Sequence, residues 1–83
     1  MTFKHELMHF IQANLIDETS KMPIGENEPL IDRGIIDSMG LMKIMLFIEE
    51  KTGIRIPDDD VLPDNFQSVS SIERMVDRLR SQR

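Results

Sequence analysis

Ser38 is the side chain whose position in this sequence best suits it to covalent chemistry. It follows Asp37 and opens the most apolar helical segment of the chain, so its hydroxyl is expected in the first turn of a helix. Free backbone N–H groups and the helix dipole favour a bound phosphate at such a position. An Asp-Ser pair is also an ordinary helix cap, because both side chains accept hydrogen bonds from first-turn N–H groups. From the pair alone, a modified serine and a plain cap both remain open.

A second candidate is the sequence from His5 to His9, which matches the H-E-x-x-H pattern of helical zinc sites. The two histidines fall about opposite the apolar stripe of their helix, and no suitable third ligand follows. Neither histidine is placed to activate Ser38 as a hydrolase nucleophile. The acidic run Asp58–Asp60 lacks the ligand pattern of a calcium-binding EF-hand. We therefore expect no metal site and no catalytic residues, and a zinc enzyme is the least favoured hypothesis.

Length and composition exclude several classes of function. The 83 residues have room for one domain, 1–83, with one small core. Fifteen acidic and ten basic residues give a net charge of −5, which disfavours binding to nucleic acids or anionic lipids. No segment approaches the ~20 apolar residues of a membrane span, and we expect a cytoplasmic protein. Cysteine is absent, so any thiol chemistry needs a sulfur from another source.

The elements that must position Ser38 are a first helix, a long loop and a second helix. Apolar residues at helical spacing predict helix one from Thr2 to Asp17, with Thr2 as its cap. From Glu18 to Ile36 the periodicity fails and proline and glycine recur, which predicts a loop. Apolar residues within it indicate that the loop is pinned across the other helices: Met22, Ile24, Leu30, Ile31, Ile35 and Ile36.

Helix two is predicted from Asp37 or Ser38 to Thr52-Gly53, where glycine can close a helix in the left-handed conformation. Its apolar residues form two stripes. One stripe suits the core and comprises Leu41, Ile44, Met45 and Ile48. The other is formed by Met39, Met42 and Leu46 and is displaced by more than a quarter turn. The spacing of the apolar residues alone leaves two interpretations of the second stripe open: a partner-binding face, or one side of a helix that is buried on two sides.

The last third of the chain is predicted to contain a short helix and a longer one. A short helix should begin at Asp58 after the extended link Ile54–Pro57, and Pro63 should stop it. Ser68 or Ser70 should open the last helix, with Ser70 and Glu73 as a possible capping box. Its core stripe is Val69, Ile72, Val76 and Leu79. We expect the basic tail from Arg78 to Arg83 to fray.

Three segments together resemble the acyl and peptidyl carrier protein family: Leu30–Met39, Ile54–Asp59 and Phe66–Val69. The resemblance covers nearly the whole chain. It implies an all-α fold, an antiparallel four-helix bundle of acyl-carrier type with three longer helices, one short helix and a long first loop. It also implies that Ser38 is joined by a phosphodiester to 4′-phosphopantetheine, transferred from coenzyme A by a magnesium-dependent phosphopantetheinyl transferase. Asp37 matches the acidic residue that precedes the modified serine in many carriers.

The resemblance further implies a docking face and a class of cargo. Met39, Met42 and Leu46 match positions that touch the arm and partner enzymes, and Lys43 and Glu49 are expected to flank that face. Lys43 stands where fatty-acid carriers commonly have an acid, and Gly40 also departs from their pattern. Asp37 to Gly40, with Met42, Leu46 and Glu49 downstream, looks more like discrete aminoacyl carriers, including the D-alanine carrier of cell-wall modification.

We therefore expect a stand-alone, monomeric carrier without catalysis of its own, most simply for aminoacyl cargo. Its expected partners are the transferase, an ATP-dependent acyl or aminoacyl ligase and downstream acyl-transfer enzymes. A fatty-acid or polyketide acyl carrier is the alternative within the same chemistry. The alternative of another class is a small acidic adaptor in which Ser38 is only a helix cap.

Overall fold

The computed structural model describes residues 2–16 and 24–82. Within these residues the chain forms four α-helices and one short 3-10 helix, and no β-strand occurs among them. The helices are α1 (Phe3–Asn14), α2 (Ser38–Thr52), α3 (Pro63–Phe66) and α4 (Val69–Ser81), and Asp58–Asp60 form the 3-10 helix. No helix in these two ranges is long and apolar enough to cross a lipid bilayer. The prediction of an all-helical fold is confirmed for these residues. The predicted short helix begins at Asp58 as a 3-10 helix, and a second short helix that was not predicted, α3, follows it.

Helix α1 begins as predicted. The Thr2 hydroxyl caps it by accepting a hydrogen bond from the backbone N–H of His5. The helix ends at Asn14 with Leu15 as its C-cap, so the predicted extension to Asp17 is wrong; Asp17 itself lies outside the described residues. His5 and His9 are both exposed. Where the chain is described, no three histidine, aspartate or glutamate side chains are grouped to hold a metal ion.

The core is a single cluster to which every longer helix contributes. Helix α3 packs on α4, and α1 contacts both α4 and α2. Phe10 of α1 stacks on Phe47 of α2, with ring centroids 4.5 Å apart. Side chains that are fully buried, at no more than 2% exposure, include Leu7, Ile11, Leu30, Ile44, Ile48, Phe66, Val69, Ile72, Met75 and Val76.

Helix α2 has the predicted bounds and the predicted two faces. Asp37 caps its first turn, and Gly53 closes it in the left-handed conformation with a φ of 71°. Ile44 and Ile48 are fully buried, as expected, whereas Leu41 and Met45 are half-buried at the edge of the core. The interpretation of α2 as a helix buried on two sides is wrong, because the second stripe faces solvent.

Three predictions for the last third of the chain are wrong. Pro63 does not stop a helix; it is the first residue of α3, since the fixed φ of proline suits the first turn and its missing N–H is not needed there. Of the two serines predicted to open α4, Ser68 is the cap: its hydroxyl accepts from the backbone N–H of Ser71, so the capping box at Ser70 does not form. The helix also continues to Ser81 instead of fraying from Arg78.

The described part of the first loop is pinned to the helices, as predicted. Gln67 holds two of its residues: its backbone carbonyl accepts from the Leu30 N–H at 2.7 Å, and its side-chain Oε1 accepts from the Ile31 N–H at 3.2 Å. Glu26 forms a hydrogen-bonded ion pair with Lys4. The hydrogen bond from Lys4 to the Glu26 carboxylate raises the pKa of the lysine above its ordinary value. Ile24, Leu30 and Ile36 are buried, while Met22 lies outside the described residues.

Candidate functional site

The first turn of α2 is fixed by the residue that precedes it. Oδ1 of Asp37 accepts a hydrogen bond from the backbone N–H of Gly40 at 2.7 Å. The Asp37 carbonyl oxygen accepts another from the N–H of Leu41 at 2.8 Å. Because Asp37 satisfies two donors of the turn, the capping role belongs to Asp37, and Ser38 is left as the first helical residue.

Ser38 is exposed, and its hydroxyl has no hydrogen-bond partner among residues 2–16 and 24–82. The backbone N–H groups of Ser38 and Met39 are likewise unpaired within those ranges. A helix N-terminus with open donors carries a partial positive charge that stabilises a phosphate. The site therefore offers a free hydroxyl for esterification in a setting that suits the resulting negative charge.

Gly40 allows α1 to approach this turn closely. A Cβ atom at Gly40 would lie 3.2 Å from Oδ1 of Asp37 and 3.4 Å from Cδ2 of Leu15. Leu15 follows the last residue of α1, so the small residue brings the end of α1 against the turn that carries Ser38. A larger residue at position 40 would crowd the Asp37 carboxylate in its capping position.

An open, mainly apolar groove of about 360 Å³ begins at Ser38. The loop and α2 contribute one set of lining residues, and the segment from Val61 into α3 contributes another. The lining residues are Ile31, Ile36, Asp37, Ser38, Leu41, Val61, Leu62, Pro63 and Phe66. The sequence pattern does not indicate that the second set belongs to the site. The sequence signal for this set was Leu62, which directly precedes Pro63, a proline that can start a helix. The Leu62 side chain is 53% exposed in the structure.

The second stripe of α2 forms an exposed apolar face beside Ser38. Met39, Met42 and Leu46 have exposed fractions of 69%, 64% and 63%. Lys43 is exposed on the same helix and forms no ion pair with a described residue. The structure thus brings four of the five predicted docking residues to the solvent-facing side of the helix.

Glu49, the fifth predicted docking residue, is engaged within the chain. Its Oε2 accepts a hydrogen bond from the backbone N–H of Ile56 at 3.1 Å. This contact ties the link after α2 back to the helix, and the Glu49 residue is half-buried. Its position therefore supports a structural role that the sequence pattern did not indicate.

Comparison with known proteins agrees with this geometry. The family model described as "Phosphopantetheine attachment site" matches residues 13–79, a range that contains Ser38 and both sides of the groove. Aminoacyl carrier protein 1 of Bradyrhizobium diazoefficiens is 43% identical over 73 residues, covering 88% of this chain and 80% of that protein. The D-alanyl carrier protein of Streptococcus sanguinis is 28% identical over 81 residues, covering 98% of this chain and 99% of that protein.

A solved structure has a similar fold. One chain in the structure titled "Crystal structure of FAD-dependent dehydrogenase" superimposes with a TM-score of 0.76 at 26% identity, covering 84% of this chain and 97% of that chain. The family match spans most of the sequence, and two kinds of carrier protein resemble the chain over most of its length. The chain therefore belongs to the phosphopantetheine attachment family of carrier proteins, whose members bear that cofactor covalently.

Proposed function

We propose that Ser38 is the attachment residue and that the protein is a stand-alone carrier of aminoacyl groups. The observation that carries this proposal is the exposed Ser38 hydroxyl, which has no partner among the described residues and is followed by an open helix N-terminus. When bound, 4′-phosphopantetheine supplies the terminal thiol that holds cargo as a thioester. The cysteine-free chain itself supplies no thiol.

The residues around Ser38 fit that cofactor. The unpaired N–H groups of Ser38 and Met39 would face the negative charge of the phosphodiester. The apolar groove would accept uncharged parts of the arm, because its lining is largely aliphatic. Asp37 keeps the serine at the start of the helix through its bond to Gly40. No side chain of the chain needs to act as an acid or a base in these roles.

We also infer that the helices form the antiparallel four-helix bundle of the acyl-carrier type, within one domain spanning 1–83. The likeness to a solved chain at a TM-score of 0.76 and the single shared core support this arrangement. A tethered group on such a scaffold reaches its partner at a high effective concentration, so the protein presents its cargo and catalyses nothing itself. A monomeric state and a cytoplasmic location, where coenzyme A and ATP are supplied, belong to the same proposal.

The exposed face of α2 is the proposed docking surface for partner enzymes. Met39, Met42 and Leu46 offer flexible apolar contacts close to Ser38. Lys43 adds a positive charge, which favours partners with an acidic residue opposite it. Glu49 lies at the edge of this surface, and its bond to Ile56 limits how freely it can pair with a partner.

Aminoacyl cargo is proposed because relatives named for it cover most of the chain. The partners that follow are a phosphopantetheinyl transferase, an ATP-dependent aminoacyl ligase and downstream transfer enzymes. A chain of this fold occurs in a structure whose title names an FAD-dependent dehydrogenase. We therefore include dehydrogenases of that kind among the enzymes to be tested on the charged carrier.

The test is intact-protein mass spectrometry after incubation with coenzyme A, magnesium and a broad-specificity phosphopantetheinyl transferase. The wild type should gain the mass of one phosphopantetheine. Ser38→Ala should gain nothing while keeping its helical circular dichroism. Ser81→Ala is the matched control, since Ser81 is also exposed and on a helix, and it should be modified like the wild type.

A wild type that gains no mass beside a working control carrier would favour the adaptor hypothesis, with Ser38 unmodified.

Cargo is tested on the loaded protein with candidate ligases, ATP and either amino acids or fatty acids. A hydroxylamine-labile mass gain with amino acids supports the proposal. A gain only with fatty acids would replace aminoacyl cargo with acyl cargo.

A further inference from the structure

The segment that contributes Val61 and Leu62 to the groove packs Val61 against the core but makes few hydrogen bonds to the rest of the protein. Its backbone hydrogen bonds are local: the Val61 N–H donates to the Asp58 carbonyl at 3.1 Å, and the Leu62 N–H donates to the Asp60 carbonyl at 2.9 Å. The Leu62 carbonyl accepts from the Asn65 N–H of α3 at 3.0 Å. It lies between the 3-10 helix and α3 and belongs to no helix. Neither residue is hydrogen-bonded to α4, so the polar link between this segment and that helix depends on the neighbouring Asp60.

Asp60 links the segment to both α3 and α4. Its backbone carbonyl also accepts a hydrogen bond from Nδ2 of Asn65 at 2.7 Å, which joins the segment to α3. Its carboxylate Oδ1 lies 2.7 Å from Nη2 of Arg78, which joins the segment to α4. Arg78 lies one residue before the buried Leu79, so its backbone is anchored in the core.

We propose that Arg78 is a positioning residue that holds Val61 and Leu62 against the groove beside Ser38 and so sets how much of the time the tethered arm lies in that groove. The inference rests on the proposed attachment at Ser38. A charge-assisted bond of 2.7 Å between a planar guanidinium and a carboxylate is directional as well as attractive. It can therefore fix the segment relative to α4, to which the segment's backbone makes no hydrogen bond.

The expected effect is moderate. The side chains of Arg78 and Asp60 are 48% and 21% exposed, so solvent screens the ion pair in part. Partly exposed pairs of this kind change an equilibrium by about two- to fivefold. Losing the bond should shift the arm away from the groove by about that factor without unfolding the protein.

The first experiment uses the unmodified full-length protein, so it does not depend on the cofactor. Amide hydrogen exchange is measured for Val61 and Leu62 in wild type, Arg78→Gln and Arg78→Lys. Exchange should become about two- to fivefold faster in Arg78→Gln and return towards the wild-type rate in Arg78→Lys, which retains the charge. The Leu30 N–H, held by Gln67 on the loop, is the internal control and should not change.

The second experiment compares NMR spectra before and after loading with phosphopantetheine. Loading should shift the methyl signals of Val61 and Leu62 in the wild type, and these shifts should shrink about two- to fivefold in Arg78→Gln. Arg80→Gln is the matched control, because Arg80 is on the same helix but lies over the Phe3 ring, 5.9 Å from its centroid. It should retain the wild-type shifts.

The outcomes separate the two proposals. If mass spectrometry finds no loading of Ser38, the proposed function fails, and the exchange data alone decide the positioning role. Unchanged exchange in Arg78→Gln would overturn the role of Arg78 whatever happens at Ser38. Faster exchange with undiminished methyl shifts would show that the ion pair holds the segment but does not control the arm, which also overturns the proposal.

Discussion

Oδ1 of Asp37 lies 2.7 Å from the backbone nitrogen of Gly40, and this bond leaves the neighbouring serine without a capping duty. The sequence pair Asp37-Ser38 contains two possible caps, and only one is used. Asp37 caps the helix, and the hydroxyl of Ser38 remains exposed to solvent. It separates the stability of the site from its availability for modification.

Removing the Asp37 carboxylate should destabilise the protein. Asp37→Ala is expected to lower the free energy of unfolding by about 0.5–2 kcal/mol, since the Gly40 N–H loses its acceptor. Asp37→Asn retains an acceptor oxygen and should lose much less. Urea unfolding followed by circular dichroism measures both, and equal losses in the two variants would contradict a capping role.

The effect of a methyl group at Gly40 on stability should depend on the residue at position 37. Replacing a helical glycine by alanine normally gains about 1 kcal/mol, but here the new Cβ would lie 3.2 Å from Oδ1 of Asp37. We expect Gly40→Ala to gain nothing in the wild type and to be stabilising in the Asp37→Ala background. A double-mutant cycle of unfolding free energies measures this coupling. Additive effects would mean that the contact with Asp37 does not oppose the substitution.

The two faces of α2 should respond differently to substitution. Met42→Glu changes a side chain that is 64% exposed and should alter the free energy of unfolding by no more than about 0.5 kcal/mol. Ile44→Ala empties a fully buried position two residues away and should cost about 2–5 kcal/mol. Urea unfolding measures the free energy of unfolding of both variants. Met42→Glu should still slow charging by the cognate ligase, and an unfolded Met42→Glu protein would place that side chain in the core.

Glu49 can be assigned to structure or to docking by a pair of substitutions. Glu49→Ala removes the acceptor for the Ile56 N–H and should lower the free energy of unfolding by about 1–3 kcal/mol if that donor stays buried. Glu49→Gln keeps an acceptor oxygen but removes the charge. The Glu49→Gln variant should therefore keep the wild-type stability, which is measured by the midpoint of thermal unfolding. Slower charging of the stable Gln variant would identify a second role at the partner surface.

The sequence by itself determined the bounds of α2, the cap at Thr2 and the division of α2 into buried and exposed faces. These features depend on local chemistry: the period of apolar residues, the polar residue before a helix and the glycine after it. The proposal for Ser38 also starts from the local sequence, because a helix start and its neighbouring residues are consecutive in the chain. The family comparison agreed with the resemblance drawn from those residues.

Only the tertiary structure decided which residues meet Ser38 across the fold. The groove joins Ile31 to Leu62, and Arg78 reaches Asp60 from the last helix, at separations along the chain that no local pattern encodes. The same reason explains the error at Arg78, which was expected to fray. Its helix is held by burial of Leu79 and by an acidic partner eighteen positions away. Local propensity sets where helices can begin and end, but long-range packing sets which side chains lie beside Ser38.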